Sequence, residues 1–573
     1  MIHIAEKMTP KHWAIAPPRP EADVLASELG IPLAIARVLT NRNVLSPEAA
    51  ESFLNGSLKD LNDPYLMKGM DRAVARVEEA IRNKEKILVF GDYDVDGVVS
   101  VVILLRALAG LGGDVDYFIP ARLQEGYGIK ESHVRVAQER GARLVISVDC
   151  GVKAVGFSAG AREAGIDVII TDHHRPGAAL PEAVALLNPV LKESGYPYPN
   201  LAGVGVVFKL LQALLEKRGK AAQLEHYAKL VAIGTIADVA ELRGENRLLV
   251  RQGLRGLEKV SNRGLRNLLS ECGVLDRKVS EGDVGFRIAP RINAAGRMGV
   301  ADDAVRLFFS EDERESVRLA RHLSDLNSRR QSEEDTIYTQ ALDRIQAGSL
   351  DRRYKMLVLG CETWHRGIIG IVASKLKDLL YRPVLLFTYE DTKAHGSGRS
   401  ISEFSLIECL DACRDVFLDY GGHTLAVGCV LPRERMGLLR ERINQVAGAK
   451  LQEGDLLKKV KIDSRLDLAE IQTSFLDIHA RLAPFGSGNP RPIFLSEGVE
   501  VAGAVQILQG KHLKFLARQN GRMIEALAWG RKEWLDVARP GSRLDVVYSL
   551  RSSTFLGEEK YSLSLEALRA SDK

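Results

Sequence analysis

Short apolar runs alternate with longer amphipathic ones along much of the 573-residue chain. Between Ile87 and about residue 300, runs such as ILVF (87–90), LVISV (144–148) and DVIIT (167–171) predict strands, because they are short and rich in β-branched residues. The longer runs between them, VSVVILLRALAGLG and KAVGFSAGAREAG, predict helices. This alternation predicts an α/β fold with a parallel sheet and helices on its faces.

The regions on either side of this block predict helices. Residues 1–80 contain Ala/Leu-rich stretches, and Ser46 with Pro47 predicts a helix start with a cap and a first-turn proline. Residues 310–347 contain no proline and many charges, which predicts one long connecting helix. The arginines at 314, 318 and 321 share one face of that helix, which is typical of a solvated surface.

Two further folding blocks follow the long helix. A second α/β block begins at MLVLG (356–360) and extends to about residue 450. After it, VEVAGAVQIL, HLKFLAR, MIEALAW, LDVVYSL and YSLSLEAL predict a five-stranded β-barrel of the oligonucleotide-binding (OB) type. The predicted order is a helical region at 1–80, a sheet domain at 81–309, a connector helix at 310–350, a second α/β domain at 351–450 and a barrel at 458–573.

Composition and charge set limits on the kind of partner. With 46% apolar residues, 27% charged residues and a net charge of +4, the chain is typical of a globular protein, and a polyanion would have to be bound by local basic grooves. Six scattered cysteines without a CxxC pair favour a reducing compartment. The first residues lack an apolar signal core and no run is long enough to span a membrane, so a cytoplasmic location is expected.

The sequence FGDYDVDG places Asp92, Asp94 and Asp96 at alternate positions directly after an apolar run. On a strand, alternate residues point the same way, so an extended path would bring the three carboxylates together. Their mutual repulsion and lost hydration would require compensation, which a divalent cation supplies most directly. The alternative for this motif alone is a polar turn in which one aspartate caps the next helix.

Acidic or imidazole side chains follow three more apolar runs. Asp149 follows LVISV, Asp172, His173 and His174 follow DVIIT, and Asp238 follows LVAIGTIA. If each of these runs were a strand of one parallel sheet, the four clusters would meet at the carboxyl edge, where α/β sheets bind ligands. Carboxylate oxygens with one or two imidazoles suit Mn²⁺ or Mg²⁺ better than zinc.

Neighbouring residues of these motifs have other expected roles. Cys150 would point away from Asp149 on an extended strand and is expected to be a small buried apolar residue. The adjacent histidines should diverge, so that one binds metal while the other faces the substrate.

These motifs carry a resemblance to a known family. TDHH, with DYDVDG, VDCG and GTIADVA, resembles the DHH phosphoesterase superfamily. NPVLK, YPNLAGVGVVFKL, APRINAAGRM, HGSGRS, GGHTLAVG and APFGSGNPRPIF extend the resemblance over nearly the whole chain, and within the superfamily they are similar to the RecJ family of single-strand-specific 5′→3′ DNA exonucleases. Two departures are His395, where many relatives have Lys, and an expected lack of the extra C-terminal domain that some relatives carry.

The resemblance implies a two-metal phosphodiester hydrolase with a specific ligand set. The implied first metal is held by Asp94 and Asp149, with Asp92 close by, and the second by Asp149, Asp96, His173 and Asp238. His174 would contact the scissile phosphate. Asp172 would orient the histidine pair from behind.

The resemblance also implies where the DNA binds. The second α/β block is similar to the DHHA1 domain, and the implied pocket for the terminal 5′-phosphate consists of Arg291, Ser397, Arg399, Gly422 and His423. In the barrel, basic residues alternate with an aromatic one, as single-strand binding requires. The predicted nucleic-acid-binding residues there are Lys511, Lys514, Phe515 and Arg518.

The expected function is that of a single-stranded-DNA-specific 5′→3′ exonuclease that releases 5′-mononucleotides in DNA repair and recombination. Two alternatives are an oligoribonuclease or nucleotide phosphatase of the DHH type, and a non-catalytic single-strand-binding scaffold. The barrel and the long helix argue for a polymeric substrate, and the complete ligand set argues against the scaffold. The implied partners are single-stranded DNA, a single-strand-binding protein and a RecQ-type helicase, and the chain is expected to be a monomer.

Overall fold

The structure is a computed structural model that describes residues 12–120, 128–298, 301–555 and 558–572. It divides into two compact units. The sheet unit comprises Pro17–Asn327 and Ala469–Pro492, and the barrel unit comprises Met1–Ala16, Ser328–Leu468 and Ile493–Lys573. No helix in the described part of the chain combines the length and the apolar character needed to cross a bilayer.

The N-terminal part of the described chain is mostly helical. Residues 1–11 of the predicted helical region lie outside the described residues. As the sequence predicts, Ser46 caps a helix that has Pro47 at its first position, and the Ser46 side chain accepts the N–H of Ala49 at 3.2 Å. The elements are β1 (His12–Ile15), α1 (Glu21–Leu29), α2 (Leu33–Asn41), α3 (Pro47–Asn55) and α4 (Met70–Asn83).

The parallel sheet has the predicted strands at LVISV and DVIIT. All its pairings are parallel, in the order β3-β2-β4-β5-β6. Alternate strand residues pack on opposite faces, with Val89 and Ile146 in one apolar cluster and Phe90 and Val145 in another, so both faces are covered. The elements are β2 (Lys86–Gly91), α5 (Val95–Gly110), β3 (Asp114–Phe118), α6 (His133–Glu139), β4 (Leu144–Val148), α7 (Val155–Glu163), β5 (Asp167–Thr171) and β6 (Ala185–Leu187).

The remainder of the sheet unit is helical, and this corrects one prediction. LVAIGTIA is the second half of a 14-residue helix, so Asp238 does not follow a strand. A short apolar run does not by itself separate a strand from a buried helix segment, which is why the prediction was wrong. The elements are α8 (Gly203–Lys217), α9 (Leu224–Ala237), α10 (Gly244–Gly256), α11 (Arg263–Glu271), α12 (Glu281–Asp283), a π-helical turn (Val284–Ile288), α13 (Ala289–Arg297) and α14 (Ala301–Phe309).

The predicted long helix and second α/β block are both present. The helix has 35 residues, and the sheet that follows is mixed, with order β10-β11-β9-β8-β7 and only the β7–β8 pair parallel. The elements are α15 (Glu313–Ala347), α16 (Leu350–Arg353), β7 (Leu357–Cys361), α17 (Ile369–Leu380), β8 (Val384–Glu390), β9 (Lys393–Arg399), α18 (Leu406–Asp411), β10 (Asp419–Gly422), β11 (Ala426–Pro432) and α19 (Met436–Lys450).

The C-terminal strands form the predicted closed five-stranded barrel. The order is β14-β15-β16-β18-β17, and a β14–β17 pairing closes the cylinder. Closure leaves no free sheet edge among these five strands. The elements are β12 (Lys459–Ile462), which pairs with β1, then β13 (Ser464–Arg465), β14 (Phe494–Leu508), β15 (His512–Gln519), β16 (Arg522–Ala528), β17 (Arg543–Phe555) and β18 (Glu558–Ala570).

The segment between β13 and β14 packs in the sheet unit, although it lies within the predicted barrel domain at 458–573. It contains helix α20 (Thr473–Arg481) and the APFGSGNPRP loop. The fully buried Arg247 donates to the carbonyl oxygens of Leu482 (2.9 Å) and Ala483 (2.9 Å), and burial lowers its pKa to about 9. The N–H of Leu242 donates to the carbonyl of Ser487 at 2.8 Å. The loop therefore fixes the position of the backbone shortly after Asp238.

Candidate metal centre

The first acidic motif lies on a turn that leads into a helix. β2 ends at Gly91 and α5 begins at Val95, so the predicted extended path through Asp92, Asp94 and Asp96 is wrong. Asp94 is the N-cap of α5, and its carboxylate accepts the N–H of Gly97 at 3.0 Å. The cap and the metal interpretation are therefore compatible, because a capping carboxylate keeps lone pairs for a second partner.

Backbone amides hold the carboxylate of Asp96 in place. Its oxygens accept the N–H groups of Gly203 (2.8 Å) and Val204 (2.9 Å) at the start of α8. A Cβ on Gly234 would lie 2.8 Å from the same carboxylate, so glycine is needed for this approach. Burial, with the nearby charge of Asp238, raises the pKa of Asp96 to about 7.

Asp149 occupies the centre of the cluster. It follows β4 in a left-handed backbone conformation (φ 59°), and its N–H donates to the carbonyl of Thr171 at 2.9 Å. The residue is 2% exposed, and a Cβ on Gly203 would lie only 2.3 Å from its Oδ1. Burial, together with the charge of Asp96, raises its pKa well above the ordinary range, which shows how unfavourable a lone carboxylate is here.

Asp172 holds the two histidines in position through hydrogen bonds to its carboxylate. Its carboxylate accepts the backbone N–H groups of His173 (2.7 Å), His174 (3.0 Å) and Val152 (2.8 Å). The Nδ1 of His174 lies 2.8 Å from the same carboxylate. Burial alone would raise the pKa of Asp172, but the hydrogen bonds from His174 and Val152, together with the charge of His174, lower the pKa overall. Sequence reasoning missed Asn188, whose side chain donates to the carbonyl of His174 at 2.9 Å.

Asp238 lies at the carboxyl end of helix α9. Its N–H donates to the carbonyl of Gly234 at 2.9 Å, so the residue continues the last helical turn. The carboxyl end of a helix carries partial negative charge, which disfavours an aspartate and favours a cation. Burial, with the charge of Asp94, raises the pKa of Asp238 to about 7.

The structure brings the predicted metal ligands into overlapping groups. The groups whose ligand atoms lie within 4.8 Å of one another are Asp92, Asp94 and Asp149; Asp96, His173 and Asp238; and Asp149, His173 and His174. Asp149 belongs to two of the groups and His173 also to two, so the three groups form one continuous cluster.

The donor set fits a divalent cation. Asp149 Oδ1 and His173 Nε2 lie 3.1 Å apart, and both are buried without a hydrogen-bond partner among the described residues. Buried polar atoms normally have partners, so these two require a ligand. Burial lowers the pKa of His173, which favours the neutral imidazole that binds metal. Oxygen-rich groups with one imidazole match Mn²⁺ or Mg²⁺.

The second α/β block brings four of the predicted phosphate-binding residues near each other. Ser397 and Arg399 lie on the same side of β9, and the Arg399 guanidinium donates to Ser397 Oγ at 3.2 Å. Arg399 pairs across the sheet with Ala426, whose carbonyl accepts the N–H of His423 at 2.8 Å. Gly422, which precedes His423, has φ 142° and would clash with Ala426 if it carried a Cβ.

Arg291 belongs to the sheet unit, whereas the other four phosphate residues belong to the barrel unit. Its guanidinium donates to Ser324 Oγ (2.9 Å) and to the carbonyl of Arg287 (2.7 Å). A common pocket of these five residues stays a prediction. His395 lies on the same strand as Ser397, and its Nε2 is 3.4 Å from the Glu390 carboxylate.

One predicted DNA contact in the barrel is wrong. Phe515 is 2% exposed, because β15 alternates and directs Leu513, Phe515 and Ala517 into the barrel. A buried ring cannot stack on a base. Lys514 lies 2.6 Å from Glu525 and Arg518 contacts Glu500, while Lys511 is exposed in the turn before β15; their roles in DNA binding stay predictions. Exposed apolar side chains nearby include Ile507, Leu516, Met523 and Trp529.

Comparisons with known proteins agree with the chemistry of the cluster. The DHH family, N-terminal domain, matches residues 86–235, the DHHA1 domain matches residues 353–449, and the RecJ OB domain matches residues 462–567. The single-stranded-DNA-specific exonuclease RecJ of Bacillus subtilis (strain 168) is 37% identical over 575 residues, which cover 99% of this chain and 72% of that protein.

Two solved structures are similar over almost the whole chain. RecJ from Thermus thermophilus in complex with Mn²⁺ has a TM-score of 0.83 and 33% identity, and the match covers 98% of this chain and 80% of that chain. The complex of the same protein with Mg²⁺ has a TM-score of 0.77 and 32% identity, covering 98% and 79%.

Proposed function

The chain belongs to the RecJ family of single-stranded-DNA-specific exonucleases, and we propose that its buried acidic cluster hydrolyses the strand from the 5′ end and releases 5′-mononucleotides. It is a single-stranded-DNA-specific exonuclease that uses divalent cations, Mn²⁺ or Mg²⁺. The observation that carries the proposal is Asp149, a buried carboxylate shared by two groups of metal-ligating side chains.

We assign one cation to each of two ligand groups. Asp92, Asp94 and Asp149 would hold the first, and Asp149 would be shared with the second, which Asp96, His173 and Asp238 complete. When bound, such a pair supplies positive charge to the attacking and leaving oxygens of an in-line displacement at phosphorus. The amides of Gly203 and Val204 keep Asp96 in position and neutralise part of its charge.

His174 is the proposed contact to the scissile phosphate. Burial alone would lower its pKa, but the hydrogen bond and the charge of Asp172, together with the charges of Asp238 and Asp94, raise the pKa overall. Nδ1 is directed at Asp172, and the proposed donor to a phosphate oxygen is the other ring nitrogen. A protonated imidazole adds a charge-assisted hydrogen bond to that contact.

The 5′ polarity rests on the terminal phosphate. Arg399 offers a forked donor beside Ser397, and the sheet register places His423 next to the same strand end. Ser397, Arg399 and His423 would bind a 5′-phosphate and stop the strand there. A duplex is about twice as wide as a single strand and would be excluded by its width.

Digestion of end-labelled DNA tests this function. The purified protein with Mn²⁺ should release labelled mononucleotide from a 5′-labelled single strand at once, and label from a 3′-labelled strand only at the end of digestion. Blunt duplex and covalently closed single-stranded circles should persist. Rapid cleavage of the circles would show that no end is needed, and the 5′-end proposal would fail.

The cellular setting is proposed from the chemistry of the cysteines and of the substrate. All six cysteines are free, which supports a reducing compartment such as the cytoplasm. Because the substrate is single-stranded, a RecQ-type helicase and a single-strand-binding protein are the proposed partners in repair and recombination, with the exonuclease as a monomer. Sedimentation of the protein alone and with each partner tests these assignments.

A further inference from the structure

Phe286 is an aromatic side chain that is largely exposed to solvent. It is 84% exposed, the largest fraction among the large apolar residues of the described chain. Val284 and Ile288, at the two ends of the same turn, are fully buried, so the turn is anchored in the core while Phe286 and Arg287 are exposed. An exposed phenylalanine on an otherwise buried turn suggests a contact with a ligand.

The backbone around Phe286 has an uncommon conformation. Val284–Ile288 is a π-helical turn between α12 and α13, and the N–H of Ala289 reaches back to the carbonyl of Val284. Such turns are rare and often occur at functional sites. Within this turn, Phe286 is exposed while Val284 and Ile288 stay in the core.

The segment that carries Phe286 flanks the metal centre. At one end, a Cβ on Gly285 would lie 3.7 Å from Ile236, in the last turn of α9 before Asp238. At the other end, a Cβ on Gly296 would lie 2.1 Å from the carbonyl of Tyr93, between Asp92 and Asp94. The segment from 284 to 297 therefore runs from the helix end that carries Asp238 to the turn that carries Asp92 and Asp94.

Charge beside the ring favours a nucleic acid. Arg287 follows Phe286 and is half exposed, and Arg291 lies one helical turn further on. The exposed Val239, at 69%, directly follows Asp238 and adds a second apolar surface at the same helix end. Arginines for phosphates next to an aromatic face for bases are what a single strand requires.

We propose that Phe286 is a stacking platform for one base of the DNA strand within a few nucleotides of the cleaved bond. This inference rests on the proposed function and adds a substrate contact to it. Stacking on a ring tolerates every base, so the contact stabilises the strand without introducing sequence preference. A ring on a packed turn is also preorganised, because Val284 and Ile288 fix its backbone.

The test compares Phe286→Ala with strands that lack single bases. On an intact 5′-phosphorylated strand, we expect Phe286→Ala to lose at least about fivefold in kcat/KM, and Phe286→Trp to lose little. An abasic site at one position near the 5′ end should cost the native protein a similar factor. On that abasic strand, Phe286→Ala and the native protein should have the same kcat/KM. Anisotropy of a labelled strand in EDTA, where no strand is cut, should show the same pattern for binding.

Tyr65→Ala is the matched control. Tyr65 is 45% exposed in the same unit, on the short helical turn Pro64–Leu66, and is not among the residues assigned to the metal centre or to strand binding. Its removal should leave both assays unchanged. Two outcomes would overturn the stacking proposal. Either Phe286→Ala loses the same factor in kcat/KM on the intact strand and on every abasic strand, or it loses nothing on any strand. A native protein that digests no single strand would instead refute the proposed function.

Discussion

Charged side chains at the carboxyl edge of the parallel sheet and those on the outside of the barrel have opposite surroundings. At the sheet edge, Asp96 and Asp149 are buried, and burial raises the pKa of both carboxyls. On the barrel, Lys514 lies 2.6 Å from Glu525, and both side chains are about one-third exposed. The buried carboxylates are only partly compensated by backbone amides, whereas the charges on the barrel are already paired and hydrated.

This difference separates chemistry from strand binding. Buried carboxylates near one another need a cation or protons, so we expect the sheet edge to bind metal, driven by relief of the repulsion between these carboxylates. Exposed ion pairs contribute only about 0–1 kcal/mol and can exchange one partner for a phosphate. We therefore expect substitutions at the sheet edge to have large effects on hydrolysis, and substitutions on the barrel to have small effects on affinity.

The largest effect is expected for Asp149→Ala. Loss of the shared carboxylate should lower kcat/KM at least about a thousandfold, because bound cations contribute several kcal/mol to the transition state. Strand binding should survive, since Lys and Arg contacts to the backbone supply most of the affinity. Single-turnover digestion and anisotropy measure the two quantities. Asp167→Ala, at the opposite end of the same sheet, is the control, and near-native turnover of Asp149→Ala in Mn²⁺ would refute the assignment.

The next effect concerns stability without metal. The folded-state pKa of Asp238 is about 7, above the ordinary value near 3.9, so this carboxyl favours folding when protonated and loses that contribution as pH rises from about 4 to about 7. In EDTA, Asp238→Asn should therefore gain stability over the native protein as the pH rises across that range, by an amount that solvent screening of this exposed residue reduces. Urea unfolding at several pH values measures the difference, and a constant difference from pH 4 to 8 would contradict it.

A smaller effect is expected for Arg399→Ala. Loss of a charge-assisted contact to the terminal phosphate should cost about 1.5–3 kcal/mol on 5′-phosphorylated strands and much less on strands with a 5′-hydroxyl. Steady-state digestion of the two substrates gives the ratio. Arg433→Ala, an exposed arginine just after β11 that contacts Glu362, should not change it. Equal losses on both substrates would mean that Arg399 does not contact the strand end.

The smallest effect is expected for Lys514→Ala on the barrel. Protein stability should change by less than about 1 kcal/mol, because the lost pair with Glu525 is exposed. If Lys514 contacts a phosphate, the slope of log affinity against log salt should decrease by about one unit. Anisotropy titrations at several salt concentrations measure the slope. An unchanged slope would remove Lys514 from the predicted DNA-binding residues.

The order of elements could be predicted from the sequence because buried strands and helices leave strong patterns. LVISV and DVIIT are short and β-branched, and the structure has strands at those residues. The five barrel strands alternate and end at turn residues, so the barrel prediction is also confirmed. The run that ends at Ala237 is a helix and not the strand that the sequence predicts. Its residues are apolar on nearly every face, so the run lacks the periodicity that would identify a helix.

The candidate site was less predictable in its geometry than in its residue types. Aspartates and histidines after apolar runs indicate metal, but the path through Asp94 depends on a helix cap, and the support of Asp96 depends on amides more than 100 residues away. The inward direction of Phe515 follows from strand alternation and could have been predicted. The outward direction of Phe286 could not, since a π-helical turn has no sequence period of its own.

The number of Mn²⁺ ions bound per chain tests most directly whether Asp149 is shared by two cation sites. Isothermal titration calorimetry of the metal-free native protein should give two Mn²⁺ per chain, with proton release as the raised pKa of Asp149 returns to its ordinary range. Asp149→Asn should weaken both sites, while Asp167→Asn should bind as the native protein does. Two Mn²⁺ bound to Asp149→Asn with unchanged affinity would contradict the shared-ligand assignment.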